Sequence, residues 1–379
     1  MDLDKYRQEI DQIDDNIRGL FERRMEIASS IAQYKKENGL PVLNRTRERE
    51  IINRVTSSGS SELSGYTKIL FTTLFDLSRS YQTHKLIADG EYARKIREAL
   101  TSSQKDLPKS ARIACQGVEG AYSQIAVDRL FALPSIMYVN TFEGVFRAVD
   151  SGLCDYGVLP LENSLHGSVS EVYDLMNKYK FHIIKAVRLQ INHSLLALSG
   201  VKLSEIKEIV SHEQALGQCT DFLATLPGVK ITICENTAAA AKLVAESGRR
   251  DIAAISSRSC AELYGLNSLK DDAQNSHNNY TRFICISKKL EIFPGANKTS
   301  LMLTLPHRPG SLYNMMAKFA SAGLNLTKIE SRPIPGRDFE FMFYFDMEAS
   351  VYTEEVVTLL SELEASPELF VFLGCYFEI

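Results

Sequence analysis

The sequence RIACQGVEGAYS, residues 112–123, decides the fold of the central region. A short apolar run leads into two glycines with polar neighbours and then into a helical pattern, which is typical of a strand, a loop and a helix start. Further apolar runs occur at residues 157–160, 194–198, 231–234 and 253–255, with helical stretches between them. Alternation of this kind predicts an α/β domain over residues 111–290.

The region before this domain, residues 1–92, has an all-helical pattern, and residues 93–110 are predicted to form a linker. One apolar stripe steps mostly by three and four residues through Leu3, Tyr6, Ile10, Ile13, Ile17, Leu20, Ile27, Ile31 and Tyr34. It predicts a helix of about 35 residues that ends near Gly39 and Pro41. Shorter helices are predicted over about 45–55 and 65–88. Because so long a helix usually packs on a partner outside its own fold, we expect a dimer interface here.

The last region, residues 298–379, has a different pattern. It predicts a strand, a helix, two strands, a helix and a strand over residues 300–305, 311–322, 325–331, 339–346, 353–364 and 370–377. That βαββαβ order is the ferredoxin-like arrangement. The expected fold class is therefore a multidomain chain that combines α, α/β and α+β domains.

The composition and charge argue against several classes of binding partner. A net charge of -4 gives no reason to expect nucleic acid, and no apolar run approaches the roughly 18 residues of a membrane span. The seven cysteines are scattered without a CxxC pair, and no histidine cluster has metal-ligand spacing. We therefore expect a cytoplasmic protein with reduced thiols and neither a metal nor a cofactor.

Polar residues recur along the N-terminal helices at helical spacing. Arg24 and Lys35 are eleven residues apart, and Ser78 and Gln82 are four apart, so each pair shares a helix face. Any one of them alone is more commonly part of a solvated helix face. The motifs that carry the functional interpretation are Tyr6-Arg7-Gln-Glu-Ile-Asp11, Arg23-Arg24, Lys35, Arg47-Glu48 and Ser78-Arg-Ser-Tyr-Gln82. Together they resemble the helical chorismate mutase family.

The resemblance implies that chorismate is the substrate of these helices. It assigns the substrate carboxylates to Arg7 and Arg24, and the breaking ether oxygen to donors on Lys35 and Gln82. It also implies that Glu48 holds the ring hydroxyl, while Arg47 and Ser78 line the pocket. The reaction is a pericyclic rearrangement, which fixed cations and donors accelerate by holding the reactive conformer and stabilising the ether oxygen.

Two features qualify this site. Asn44 stands where the family has an aspartate, which matters little if the main-chain N–H acts there and weakens the mutase if the carboxylate orients an arginine. Arg7 and Arg24 are 17 residues apart, roughly 25 Å along one helix. We therefore expect each pocket to take Arg7 from the partner subunit.

The central domain carries polar motifs at the ends of its strand-like runs, where α/β domains place ligands. They are Gln116–Ser123, Pro160–Ser164, Ser211–Cys219 and Asn279–Phe283, and no dinucleotide, Walker or nucleophile-elbow motif accompanies them. Each alone is commonly capping or turn chemistry. In this order they resemble the prephenate dehydratase family. The resemblance implies two α/β lobes like those of periplasmic binding proteins, with the second lobe over about 192–267.

Prephenate loses CO2 and its ring hydroxyl in this reaction. The resemblance directs Thr281 at that hydroxyl and places Arg282 beside it as a cation for the substrate. It assigns further cleft positions to Glu162, Asn163, Ser164, Gln218 and Glu235. His212 is an alternative general acid, although a histidine that orients its turn is the commoner case. Cys219 is more commonly a small buried residue than a nucleophile.

The C-terminal motifs are Arg308-Pro-Gly310-Ser311-Leu312 and Asn325-Leu-Thr-Lys-Ile-Glu330-Ser331-Arg332-Pro333. They resemble the ACT domains, small regulatory domains that bind amino acids. The resemblance implies that phenylalanine binds at a dimer interface near Gly310, Ser311, Leu312, Leu324, Asn325 and Leu326. Glu330 and Ser331 mark the phenylalanine-responsive branch. The implied homodimer would form through the N-terminal helices and this domain.

The full interpretation is a bifunctional enzyme that converts chorismate through prephenate to phenylpyruvate and is inhibited by phenylalanine. One alternative keeps the dehydratase and treats the helices as a degenerate mutase that only dimerises. Another is a non-catalytic module that senses an amino acid. The sequence leaves open whether prephenate passes directly between the two sites.

Overall fold

The computed structural model describes residues 3–86, 90–102, 106–307, 309–334, 340–364 and 369–379. The chain forms two compact units. One comprises Met1–Arg97 with Leu301–Phe372, and the other comprises Glu98–Ser300 with Leu373–Ile379.

The N-terminal part is helical, as predicted. Its helices are α1 (Leu3–Glu37), α2 (Arg45–Ser57), α3 (Ser64–Leu86) and α4 (Glu91–Ser102), with a 3-10 turn over Ser61–Leu63. Both α1 and α2 pack against α3. Helix α2 begins where the Asn44 side chain accepts a hydrogen bond from the Arg47 N–H at 3.0 Å, which is ordinary N-terminal capping. Asparagine and aspartate cap about equally well, so the helix start does not depend on the family aspartate.

The apolar stripe of α1 is not covered by the rest of the described chain. Its large side chains, from Leu3 to Tyr34, remain between 45% and 69% exposed. Only the small residues Ala28 and Ala32 of this helix are buried. An exposed apolar face of this length is typical of a surface that is covered by a partner.

The prediction of a linker over residues 93–110 is wrong for its first part, because α4 continues to Ser102. Ala93, Ile96 and Ala99 are buried at helical spacing, and the Tyr92 ring packs edge-on against Phe370 at 5.4 Å. Two of the three buried residues are alanines, which give a weak hydrophobic signal in the sequence. Residues 103–105 of the predicted linker lie outside the described residues.

The first α/β lobe is built on a six-stranded sheet. The sheet contains β1 (Ser110–Gln116), β2 (Leu133–Val139), β3 (Tyr156–Asn163), β4 (Gly167–Ser168), β5 (His182–Gln190) and β11 (Tyr280–Ser287). Its order is β2-β1-β3-β11-β5, with β4 paired to β3. Its helices are α5 (Tyr122–Leu130), α6 (Phe142–Asp150) and α7 (Ser170–Tyr179). Fully buried side chains such as Ile113, Val158 and Ile184 form its core.

The second lobe is inserted between β5 and β11. Its strands are β6 (Ser194–Ala197), β7 (Glu208–Ser211), β8 (Lys230–Ile233), β9 (Ile252–Ser256) and β10 (Asn267–Lys270), in the order β10-β6-β9-β7-β8. Its helices are α8 (Glu213–Gly217), α9 (Thr220–Ala224), α10 (Thr237–Ser247) and α11 (Ser259–Tyr264), with a 3-10 turn over Leu203–Glu205. The chain passes between the lobes at 191–193 and again at 271–279, which confirms the predicted two-lobed α/β architecture.

The C-terminal region has the predicted βαββαβ order. Its elements are β12 (Lys298–Thr304), α12 (Ser311–Ser321), β13 (Asn325–Pro333), β14 (Phe341–Glu348), α13 (Glu354–Glu364) and β15 (Phe370–Tyr376). The sheet order is β13-β14-β12-β15, so β13 lies at an edge. The Phe319 and Phe345 rings meet in its core at 5.1 Å. Arg308 and the predicted strand start at 339 lie outside the described residues.

Candidate active sites

Thr281 and Asn163 form the centre of the candidate dehydratase site. They are direct cross-strand partners, Thr281 on β11 and Asn163 at the end of β3. The Asn163 Nδ2 amide donates to Thr281 Oγ1 at 2.9 Å and to Asn279 Oδ1 at 2.7 Å. Because Thr281 Oγ1 accepts this bond, its own hydroxyl hydrogen is available to a bound molecule.

A tight turn after β3 orients the Asn163 side chain. Its Oδ1 accepts hydrogen bonds from the backbone N–H groups of Leu165 and His166, each at 3.0 Å. Ser164 in the same turn holds the start of β11, since its Oγ accepts from the Tyr280 N–H at 2.9 Å and donates to the Asn278 carbonyl at 3.0 Å. Ser164 therefore has a structural role beside the site.

The second lobe contributes Gln218 to the same network. Gln218 Oε1 accepts from Asn279 Nδ2 at 2.9 Å and lies 2.7 Å from His193 Nε2. Asn279 is fully buried and His193 is 2% exposed. Burial lowers the pKa of His193 below its usual value, and the hydrogen bond to Gln218 opposes that shift. The structure thus joins both lobes through one set of side-chain hydrogen bonds.

Arg282 does not lie where the sequence analysis expects it. Its Nε is 2.8 Å from Glu162 Oε1, and the two residues are cross-strand partners one position along from Thr281 and Asn163. Because successive side chains of a strand point to opposite faces, Arg282 and Glu162 face away from the Thr281 hydroxyl. The expectation of Arg282 as a cation beside Thr281 is therefore corrected: the buried Arg282 side chain pairs with the half-buried Glu162 on the opposite face of the sheet.

The remaining dehydratase candidates have other roles. Glu235 is exposed in front of α10, and no hydrogen bond within the described residues joins it to the network. His212 caps α8, since its Nδ1 accepts from the Gln214 N–H at 3.3 Å, which agrees with a turn-orienting histidine. Cys219 is fully buried, and burial raises the pKa of its thiol to about 12. A thiol with that pKa is a poor nucleophile.

The candidate mutase site brings together side chains from α1, α2 and α3. Lys35 Nζ donates to the Val42 carbonyl; burial lowers the pKa of Lys35, and the nearby Glu48 carboxylate counteracts that shift. Glu48 forms an ion pair with Arg79, which also pairs with Asp76. These contacts place a cation and an oriented carboxylate beside each other.

The other mutase candidates divide into inward and outward side chains. Arg24 donates to the Leu74 carbonyl at 3.2 Å, and burial lowers the pKa of its guanidinium. Ser78 and Gln82 are buried and hydrogen-bonded to each other at 3.2 Å. Arg7 and Arg47 point outward, each in an exposed ion pair with its helix neighbour. Arg24, Lys35, Glu48, Ser78 and Gln82 are thus at least half-buried among the helices, whereas Arg7 and Arg47 are exposed.

Sequence reasoning did not single out Arg79, Asn279 or His193 as site residues. Arg79 lies inside the Ser78–Gln82 motif and Asn279 begins the Asn279–Phe283 motif. The i,i+3 spacing of Asp76 and Arg79 indicates a helix ion pair. His193 follows a strand without a motif of its own. Its role depends on the crossing between lobes, which only the fold reveals.

The regulatory candidates lie around the start of α12 and along β13. Gly310 caps α12 with a φ of 86°, a backbone conformation that favours glycine, and Ser311 Oγ is buried without a hydrogen-bond partner among the described residues. The Leu324 N–H donates to the Phe319 carbonyl, and Asn325 donates to Glu348. Leu312 is 38% exposed beside Gly310, while three more candidates lie on the edge strand: Leu326, Glu330 and Ser331.

Comparisons with known proteins identify the families of two of the domains. The prephenate dehydratase family model matches residues 113–291, and the chorismate mutase type II model matches residues 6–83. The bifunctional chorismate mutase/prephenate dehydratase of Escherichia coli strain K12 is 31% identical over 380 residues, which cover 98% of this chain and 95% of that protein. Arogenate dehydratase/prephenate dehydratase 2 of Arabidopsis thaliana is 39% identical over 277 residues, 70% of this chain and 72% of that one.

A solved structure supports the same assignment. The prephenate dehydratase of Arthrobacter aurescens in complex with L-Phe is 30% identical, with a TM-score of 0.64 over 70% of this chain and 90% of that one. Over the described residues, no cluster of His, Cys, Asp and Glu could hold a metal ion, and no helix has the length and apolarity to cross a membrane. With both domains matched and the whole chain aligned, the protein belongs to the family of bifunctional chorismate mutase/prephenate dehydratases.

Proposed function

We propose that dehydration of prephenate takes place at Thr281, with Asn163, Asn279 and Gln218 as its supporting amides. The hydrogen bond from Asn163 Nδ2 to Thr281 Oγ1 carries this assignment. As the carboxylate leaves as CO2, its bonding electrons move into the ring and expel the hydroxyl, which takes the Thr281 proton and departs as water. A proton from solvent then restores the Thr281 hydroxyl. The Asn163 donor stabilises the charge that develops on Oγ1 during this transfer.

Asn163→Asp tests this assignment with little change of shape. The carboxylate still accepts from the turn N–H groups, but its second oxygen faces Thr281 Oγ1 and Asn279 Oδ1 as an acceptor. We expect phenylpyruvate formation from prephenate to fall by about a hundredfold. Mutase turnover in the same sample controls for folding. A variant within threefold of the wild-type dehydratase rate would remove Asn163 from the mechanism.

For the mutase, Lys35 and Arg24 supply the fixed cations. Arg79 orients Glu48, whose carboxylate accepts a hydrogen bond from the ring hydroxyl of chorismate. Gln82 Oε1 is buried without a partner in the described part of the chain. If the Gln82 amide is turned over, Oε1 accepts from the Ser78 hydroxyl and Nε2 becomes a donor toward the pocket. That orientation supplies the second donor to the ether oxygen.

The mutase pocket is completed by dimerisation. The exposed apolar stripe of α1 supports this, together with the outward position of Arg7. Mixing an Arg7→Ala chain with a Gln82→Ala chain leaves one intact pocket per mixed dimer. Recovery of up to about a quarter of the mutase activity supports a shared site, because half of random dimers are mixed and each has one good pocket of two. No recovery after subunit exchange would place Arg7 in the pocket of its own chain.

The C-terminal domain is the phenylalanine sensor of the ACT type. The βαββαβ fold, the Gly310 turn and the buried Ser311 hydroxyl at the start of α12 support this, as does the L-Phe complex of the A. aurescens relative. Feedback then requires that phenylalanine bind one state of the dimer better than another. We also propose a cytoplasmic location, since all seven cysteines are free thiols. The proposed domain bounds are 111–290 and 298–379, and the helical domain, predicted as 1–92, extends through α4.

A further inference from the structure

We propose that His193 is a positioning residue for prephenate dehydration. It is the last member of a chain of side-chain hydrogen bonds in which each donor and acceptor has a fixed identity. This chain orients Gln218 so that its Nε2 amide donates to the substrate. We call Asn163, Asn279, Gln218 and His193 the amide chain. The inference rests on the proposed dehydratase site and extends it by a residue that touches no reacting atom.

The direction of the amide chain is set by groups that cannot reverse. The backbone N–H groups of Leu165 and His166 can only donate, so the Asn163 atom facing them is Oδ1. Nδ2 of Asn163 then faces Asn279, whose nearest atom must be the acceptor Oδ1, at 2.7 Å. Asn279 therefore presents Nδ2 to Gln218, and the Gln218 atom at 2.9 Å must be Oε1. Every amide orientation along the chain follows from the turn after β3.

The same logic fixes the tautomer of His193. Its Nε2 lies 2.7 Å from Gln218 Oε1, which is an acceptor, so Nε2 carries the proton. The ring is 2% exposed, and burial lowers the pKa of the imidazole, which favours the neutral form with one N–H. Nδ1 is then a bare acceptor. It is buried and has no partner among the described residues, which costs less for an acceptor lone pair than for an unpaired N–H donor.

Two hydrogen bonds to Oε1 of Gln218 determine which group of its side chain, the oxygen or the Nε2 amide, is available to the substrate. With Oε1 held by His193 and Asn279, the Nε2 amide group points away from both. A dicarboxylate such as prephenate presents acceptors at its carboxylates, so the fixed amide is a matched donor. Without the His193 donor, the amide can turn over and present an oxygen to the anion instead.

His193 is also tied to both crossings between the lobes. Its N–H donates to Gln274 Oε1 at 2.8 Å, and its carbonyl accepts from the Ala273 N–H at 2.8 Å. The amide chain runs from β3 in the first lobe to Gln218 in the second. The amide chain therefore fixes the position of Gln218 in the second lobe relative to Thr281 in the first.

The test compares His193→Gln with His193→Met. Glutamine can place an N–H near the position of Nε2, whereas methionine has a similar length and no donor. For His193→Met we expect KM for prephenate to rise about tenfold and kcat to change less than threefold, because one charge-assisted hydrogen bond to the substrate is lost. For His193→Gln we expect KM within threefold of wild type. Urea unfolding of each sample reports folding, because chorismate turnover takes place in the other compact unit.

A second measurement determines the tautomer directly in the wild-type protein. In 15N-histidine spectra, the His193 signal, assigned by its loss in His193→Gln, should show a protonated Nε2 and a bare Nδ1. The opposite tautomer, equal KM values for the two variants, or a wild-type KM in His193→Met would overturn the proposal. If Asn163→Asp remains impaired in such a case, the dehydratase site stands and only the role of His193 fails.

Discussion

Replacing Thr281 by valine removes one hydroxyl and keeps the side-chain volume. Thr281 is only 8% exposed, so the added methyl occupies the place of Oγ1 in a packed environment. The Asn163 Nδ2 group that loses this acceptor still faces Asn279 Oδ1 at 2.7 Å and the Tyr280 carbonyl at 3.2 Å. The free energy of unfolding should therefore fall by no more than about 1 kcal/mol.

The effect on chemistry should be much larger. A positioned proton donor contributes about 10²- to 10⁴-fold to a rate, so phenylpyruvate formation should fall by at least about a hundredfold. Chorismate turnover in the same sample should stay unchanged. Thr281→Ser is the matched control: it keeps the hydroxyl and should retain dehydratase activity within about tenfold.

The assay follows phenylpyruvate from prephenate and chorismate loss separately, together with urea unfolding. If Thr281→Val keeps more than a tenth of the wild-type dehydratase rate, the hydroxyl is not the proton donor. Equal loss of both activities with a lowered unfolding midpoint would show misfolding and would refute the packing argument instead.

Three further predictions concern other parts of the chain. Lys35→Ala should lower mutase kcat by about 10²- to 10³-fold and leave prephenate turnover intact, which separate assays of each substrate check. Gly374→Ala should destabilise the fold by about 2 kcal/mol in urea unfolding, because the added Cβ would lie 2.2 Å from the Ile183 carbonyl oxygen at a φ of 145°; an unchanged midpoint would contradict this. Hydrogen bonds from Thr232, Lys230 and Arg249 lower the pKa of Glu208 to about 2, so its stabilisation is present above pH 4.5 and is lost as the pH falls toward 2. Glu208→Gln should accordingly be less stable than wild type at pH 7 and approach it near pH 2; an equal difference at both pH values would disprove the linkage.

The elements with strong periodic patterns could be predicted from the sequence. Helix α1 and all six elements of the C-terminal domain lie within a few residues of their predicted positions, because their hydrophobic periods are regular and their ends carry Gly, Pro or capping residues. Strand β2 was not predicted; its side chains alternate between exposed and partly buried, so none of them is a core residue. Helix α4 was missed because small alanines form its buried face.

The candidate site was less accessible to sequence reasoning. Motifs identify Asn163 and Thr281 as site residues. They do not show that β3 and β11 are neighbours, because the two residues are 118 positions apart in the sequence. Strand register explains the outcome for Arg282, since adjacent residues in one motif point to opposite faces of the sheet. His193 needed the crossing between lobes, which no local pattern encodes.

The most direct test of the central claim supplies purified protein with chorismate and prephenate in separate reactions, each with and without phenylalanine. Chorismate loss and phenylpyruvate formation are followed together. The account predicts phenylpyruvate from both substrates and its suppression by phenylalanine. Phenylpyruvate from prephenate alone would contradict it and would show that the N-terminal helices retain the shape of a mutase without its activity.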